Sequence, residues 1–277
     1  MATSPARGRA ALGRRAASAA SGYLRKHAFV PKYGMEQQLA LRTDDGVRLA
    51  AARLQGPPGA PGTVVLVHGF SQSSRMPRIH AFAHQLAARM HVIVPDLRGH
   101  GASGGVSSMG PKEPLDVKAA VEAADPSLPV VTVGISLGGA AVLLHGGTYG
   151  GVAGVVSISA PAWWGAWDTP ATKRIQRYAM TAAGRRFLAV FMRTRIAQVC
   201  EGVPHAEEQA GAIAPAFTLV VADPADHYFA EVHPRTIYRW ANEPKDLWLL
   251  PGTGHGTDLL GPAFTARLLD ELDRRLR

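Results

Sequence analysis

Short uncharged apolar runs recur between residues 63 and 250, and the stretches separating them carry apolar positions at helical spacing. Val64-Val65-Leu66-Val67 is continuous, as expected of a strand buried on both faces. Residues 91–97, 130–135, 152–159, 217–222 and 247–250 read as further strands. Between them, residues 77–90 place Ile79, Phe82, Leu86 and Met90 on one side of a helix. Residues 115–124, 139–144 and 234–241 read as further helices, the second made of small apolar residues and therefore buried. A closing helix over 258–276 repeats Leu260, Phe264, Leu268, Leu272 and Leu276 at spacing four. Ahead of these, residues 38–42 and 47–54 alternate around Asp44-Asp45-Gly46, a hairpin signal. Strand–helix alternation of this length predicts an α/β fold, with a mostly parallel central sheet flanked by helices on both faces. Right-handed crossovers gather the C-terminal ends of the parallel strands on one edge, where sites are built.

Residues 161–213 interrupt the alternation. Trp163, Trp164 and Trp167 cluster between Pro161 and Pro170, and Tyr178, Phe187, Phe191 and Met192 fall in helical stretches. A strandless segment of this length between two strands predicts an inserted helical lid. Its aromatic residues Trp163, Trp164, Trp167, Phe187 and Phe191 are expected to line a substrate pocket. The chain thus divides into an arm over 1–36, a core over 37–160 and 214–277, and a lid over 161–213.

The stretch with most chemical content is Gly134-Ile135-Ser136-Leu137-Gly138. It sits between a β-branched run and a small-residue helix, so Ser136 occupies a sharp strand-to-helix turn that pushes its hydroxyl out of the sheet. The glycines suit a strand and a helix that approach too closely for a Cβ. The N–H of Leu137 is free at the helix start and aligned with the dipole, which suits an oxyanion. A hydroxyl needs a base with a pKa near 7, and a carboxylate must hold that base's tautomer. Ser136, Asp226 and His255 fall in that order at strand ends, His255 within Pro251-Gly252-Thr253-Gly254-His255-Gly256.

With these motifs the chain resembles the α/β-hydrolase fold superfamily of serine esterases, lipases and thioesterases, over residues 37–277. The order nucleophile, acid, histidine matches. His68-Gly69-Phe70 resembles the oxyanion segment, which implies N–H donors from Phe70 and Leu137. Asp96-Leu97-Arg98-Gly99-His100-Gly101 resembles the turn after the next strand. In relatives the acid follows its strand as apolar-His-Gly-x-x-Asp; that count puts it at Asp226, with Asp223 in the glycine position as the second candidate. The resemblance implies hydrolysis of a carboxylic ester through an acyl-enzyme on Ser136. A thioesterase, an acyltransferase or an aminopeptidase uses the same parts, and a non-catalytic scaffold on the same fold is the alternative of another class. A serine at position 136 speaks against an epoxide hydrolase or dehalogenase, where an aspartate is expected.

Charge changes the picture less than its total suggests. The net charge is +9, but residues 1–35 hold seven basic residues and no acid. Setting those seven aside leaves 23 basic against 21 acidic residues. The basicity belongs to the arm, so no nucleic-acid partner is expected of the core; contact of the arm with nucleic acid or a membrane surface rests on its charge alone. The arm lacks the apolar segment of a secretory signal, no run is long enough to span a bilayer, and the single Cys200 allows no internal disulfide. A cytoplasmic protein is expected, with organelle targeting by the Arg-rich, acid-free arm as the alternative. No phosphate-binding glycine loop and no H-E-x-x-H spacing is present, so neither a nucleotide cofactor nor a metal is expected, and the histidines at 80, 84, 100, 145 and 233 read as structural or exposed.

Overall fold

The computed structural model describes residues 36–163, 169–179, 181–198 and 205–277. The arm expected over residues 1–36 therefore lies outside the described residues, except for Glu36, which opens the first strand and belongs to the sheet. The strands are β1 (Glu36–Arg42), β2 (Arg48–Leu54), β3 (Thr63–Val67), β4 (His91–Pro95), β5 (Val130–Ile135), β6 (Gly154–Ile158), β7 (Phe217–Ala222) and β8 (Lys245–Leu249). They form one sheet in the order β1-β2-β4-β3-β5-β6-β7-β8. β1 pairs antiparallel with β2, and β2 antiparallel with β4. From β4 onward every pairing is parallel.

The apolar runs become the central strands because both their faces are covered. Every residue of β3, β5, β6 and β7 is buried. On one face Leu66, Val133, Ile158 and Leu219 meet α1 (Pro77–Leu86) and α8 (Pro262–Leu276), through Ile79, Phe82, Leu86, Phe264, Leu268 and Leu272. On the other, Val65, Val67, Val155 and Val220 meet α2 (Glu113–Glu122), α3 (Leu137–Tyr149), α6 (Ala206–Ala210) and α7 (Val232–Trp240). α3 is buried over all of residues 137–146, consistent with its small apolar composition. The result is the expected three-layer α/β architecture.

Between β6 and β7 lie α4 (Pro170–Ala179), α5 (Ala182–Phe191) and α6. α6 belongs to the layer under the sheet, with Ala206 and Ala210 in the core. α4 and α5 pack on each other, and only Gly184 of α5 is buried. The segment after α5 returns to the body: Thr194 bridges His100 and Ile196 bridges Ser107. Among the described residues no helix is long and apolar enough to cross a membrane.

Candidate active site

Ser136 stands between β5 and α3 with φ 54° and ψ −114°, outside the regions that L-residues favour. The turn is enforced from both sides. A Cβ on Gly134 would lie 2.2 Å from the Gly138 carbonyl oxygen, and one on Gly138 would lie 2.4 Å from that of Val67. Strand and helix therefore close to a distance that only glycine permits. The Ser136 N–H donates to the Ile158 carbonyl at 2.8 Å, which anchors the turn to β6.

The loop after β8 brings His255 across. Its Nε2 lies 3.1 Å from Ser136 Oγ, and its Nδ1 lies 2.7 Å from Asp226 Oδ2. The Asp226 carboxylate is almost wholly buried, and its other oxygen accepts the N–H groups of Tyr228 at 2.7 Å and Phe229 at 3.3 Å. An ionised carboxylate only accepts, so Nδ1 carries the proton and Nε2 is left as the acceptor for the serine hydroxyl. Asp223, the second candidate, does something else. Its Oδ2 accepts the Gly254 N–H at 2.7 Å and its Oδ1 that of Ala225 at 2.9 Å. Burial works against its ionised form, but these N–H donors outweigh it and hold the carboxyl below the ordinary value. Asp223 thus clamps the loop that carries His255, and Asp226 touches the imidazole. Ser159, at the end of β6 with φ 49°, adds a second brace: its Oγ accepts the Gly256 N–H at 3.1 Å.

Leu137 opens α3 directly after Ser136, and Phe70 follows Gly69 in the loop after β3, where a Cβ on Gly69 would lie 3.3 Å from that of Ser136. Among the described residues neither N–H has a hydrogen-bond partner. The loop that carries Phe70 is fixed from beneath. Gln72 Oε1 accepts the Gly69 N–H at 3.0 Å. His68 donates from Nδ1 to the Gly69 carbonyl at 2.8 Å and accepts the Leu97 N–H at Nε2 at 3.0 Å. Full burial holds the His68 pKa down at about 4, so it stays neutral in that tautomer. Asp96 ties the same loop to the next one, accepting the N–H groups of Ser74 and Ala102.

The aromatic expectations divide. Trp163 is half-buried, with its ring 4.1 Å from that of His233. His233 meets Phe229 at 5.4 Å, and Phe229 meets His255 at 5.6 Å. Trp163 thus joins a row of rings that ends at the imidazole. Among the described residues, Phe187 and Phe191 stack on each other at 5.1 Å and are 51% and 69% exposed. Among the described elements α5 packs mainly on α4. Trp164 and Trp167 lie outside the described residues. The rings actually packed on His255 are Tyr228 at 4.5 Å, Phe229 and His227 at 6.1 Å. Sequence reasoning assigned none of these rings to the site, and it missed Ser159 and Gln72. A polar residue closing an apolar strand on the site-bearing edge, as Ser159 does, is the signal that was available. Among the described residues, the one cluster of three side chains suited to a metal ion is Glu36, His80 and His84.

Comparison with known proteins agrees with this architecture. No curated protein sequence matches significantly. Among solved structures, the chain is similar to the Pyrococcus furiosus esterase Pf2001, with a TM-score of 0.69 at 17% identity, covering 92% of this chain and 96% of that one. The esterase RhEst1 from Rhodococcus sp. gives 0.67 at 20% identity, covering 86% and 98%. The α/β hydrolase GrgF from a Penicillium species gives 0.65 at 16% identity, covering 89% and 98%. At such identities these likenesses speak to the fold. The sequence itself matches the model of the alpha/beta hydrolase family over residues 64–274, from the first parallel strand into the closing helix, and the chain belongs to that family.

Proposed function

We propose that the protein is a serine hydrolase that cleaves a carboxylic ester through an acyl-enzyme on Ser136. The observation that carries this reading is the unbroken hydrogen-bond chain from Ser136 Oγ through His255 to Asp226. Ser136 Oγ attacks the ester carbonyl carbon while His255 Nε2 takes the hydroxyl proton. The carbonyl oxygen becomes an oxyanion, which the N–H groups of Phe70 and Leu137 receive at the positive end of α3. Collapse of the tetrahedral intermediate breaks the bond to the alcohol oxygen, and His255 returns the proton to that leaving group. Water then enters, His255 takes its proton, and the same steps in reverse release the acid and restore the Ser136 hydroxyl. Asp226 keeps the tautomer and stabilises the imidazolium throughout. The likeness to structures described as esterases supports an ester as the substrate. The row of rings from His255 to Trp163 supports an acyl or alcohol part with apolar character.

Two measurements on one variant test this. Ser136→Ala is expected to lose roughly 10³-fold or more of wild-type turnover of p-nitrophenyl butyrate. It is also expected to lose labelling by a fluorophosphonate probe that marks the wild-type protein at residue 136. Wild-type turnover in the variant, or labelling of the wild-type protein at another residue, overturns the mechanism.

A further inference from the structure

The geometry points to a binding site for a divalent transition-metal ion of the zinc type, made by Glu36, His80 and His84 on the side of the sheet remote from Ser136. His80 and His84 are four residues apart on α1, so both imidazoles project from one helix face. Their Nε2 atoms lie 3.3 Å apart. Two nitrogens bound to one tetrahedral zinc at about 2.0 Å are separated by about 3.3 Å, so the pair already stands at a coordination edge. The third corner comes from β1. Glu36 Oε1 lies 2.5 Å from His80 Nε2 and 3.0 Å from His84 Nε2.

The charge chemistry also favours a cation there. In the absence of a metal, Glu36 Oε1 stands within hydrogen-bond reach of both imidazole nitrogens, so three potential ligand atoms converge on one point. A single divalent ion satisfies all three lone pairs at once and balances the Glu36 charge. Shielding fits as well. The Glu36 side chain is 5% exposed, His80 15% and His84 29%, so the carboxylate is held in place while the His84 side stays open for entry and for a water as fourth ligand. Nitrogen-rich ligation with one carboxylate selects zinc, cobalt or nickel over magnesium or calcium, which prefer oxygen.

Topology gives the site a structural task. β1 is the outermost strand of its edge and runs parallel to β4, so Glu36 lies at the N-terminal edge of the sheet. Ser136 and His255 lie on the C-terminal edge. A metal at Glu36, His80 and His84 clips the first residue of the edge strand to α1, with no contact to the hydrolytic residues.

The test uses untagged full-length protein, with zinc chloride as the probe. Zinc is titrated against a chromophoric chelator, and thermal unfolding is followed with zinc and with EDTA. The wild-type protein is expected to bind one zinc that Glu36→Gln and His84→Ala lose, with affinity falling at least tenfold. At a zinc concentration about 100 times Kd the unfolding equilibrium shifts about 100-fold toward the folded state, which raises Tm by several degrees. Cobalt in place of zinc is expected to give visible absorption bands of a four-coordinate ion in the wild-type protein and not in Glu36→Gln. Ester turnover is expected to be unchanged by EDTA. Equal zinc binding by wild type and Glu36→Gln overturns the proposal. So does a wild-type Tm that ignores zinc.

Discussion

At Ser136 the backbone sits at φ 54°, ψ −114°, and nothing about a serine side chain makes that conformation comfortable. Such a residue costs on the order of 1–3 kcal/mol, which the surrounding packing must hold in place. Two replacements separate the backbone from the hydroxyl. Ser136→Ala and Ser136→Gly both lose Oγ, but only the glycine relieves the strain. After allowing for the greater freedom of glycine in the unfolded chain, Ser136→Gly is expected to be about 1 kcal/mol more stable than Ser136→Ala, and both inactive. Urea denaturation midpoints measure this, and an equal or higher midpoint for the alanine variant would show an unstrained elbow. Ser136 and His255 were legible in the sequence because each sits among glycines whose spacing makes a backbone demand. Asp226 and Asp223 were harder to separate, since both lie on one turn. Only the distance to His255 Nδ1 tells them apart.

The loops after β7 and β8 work as a pair, and their two aspartates divide the labour. Asp226 faces the imidazole, so Asp226→Asn is expected to lower kcat by about 10³–10⁴-fold with little change in Tm. Asp223 holds the Gly254 N–H, so Asp223→Asn is expected to lower kcat about tenfold and Tm by a few degrees. Parallel kcat and Tm measurements on the two variants check this, and a larger kcat loss for Asp223→Asn would reverse the assignment. Element boundaries shifted for local reasons. The helix expected over 77–90 stops at Leu86, and Met90 is buried from a turn beyond it. The closing helix starts at Pro262, because Gly256–Asp258 forms a separate tight turn. Periodicity showed an apolar stripe on α5 but carried no information about what covers it, and among the described residues Phe187 and Phe191 are exposed. The cluster at Glu36 was invisible for a similar reason: its third member lies 44 residues from His80, in a stretch read as arm.

At the scale of the molecule, burial pushes the described histidines His68, His100 and His145 down to about 4 and keeps them neutral. The unfolded chain binds their protons near pH 6.5 and the folded chain does not. Stability is therefore complete above pH 6.5, declines as pH falls toward 4, and levels off below, by on the order of 1–3 kcal/mol per histidine. Urea midpoints between pH 7.5 and 4 should show this slope. His145→Leu should make it shallower while His68 and His100 keep the rest, and the His145 Nδ1 has no hydrogen-bond partner to lose; an unchanged slope would remove His145 from the account. The layered fold was legible because a parallel sheet covered on both faces needs continuous apolar strands, and the chain has them. The strand order carries one more consequence, in the time the chain takes to be made. β5 adds beside β3 on the side away from β4, and β6, β7 and β8 each add beside the strand before, so this half of the sheet grows outward in the direction of synthesis. Ser136 and His255 are 119 residues apart, which at about 5–20 residues per second separates their emergence by roughly 6–24 seconds. During that interval the nascent chain carries a finished nucleophile turn with no base beside it, and the proposed chemistry is armed only when the last strand docks.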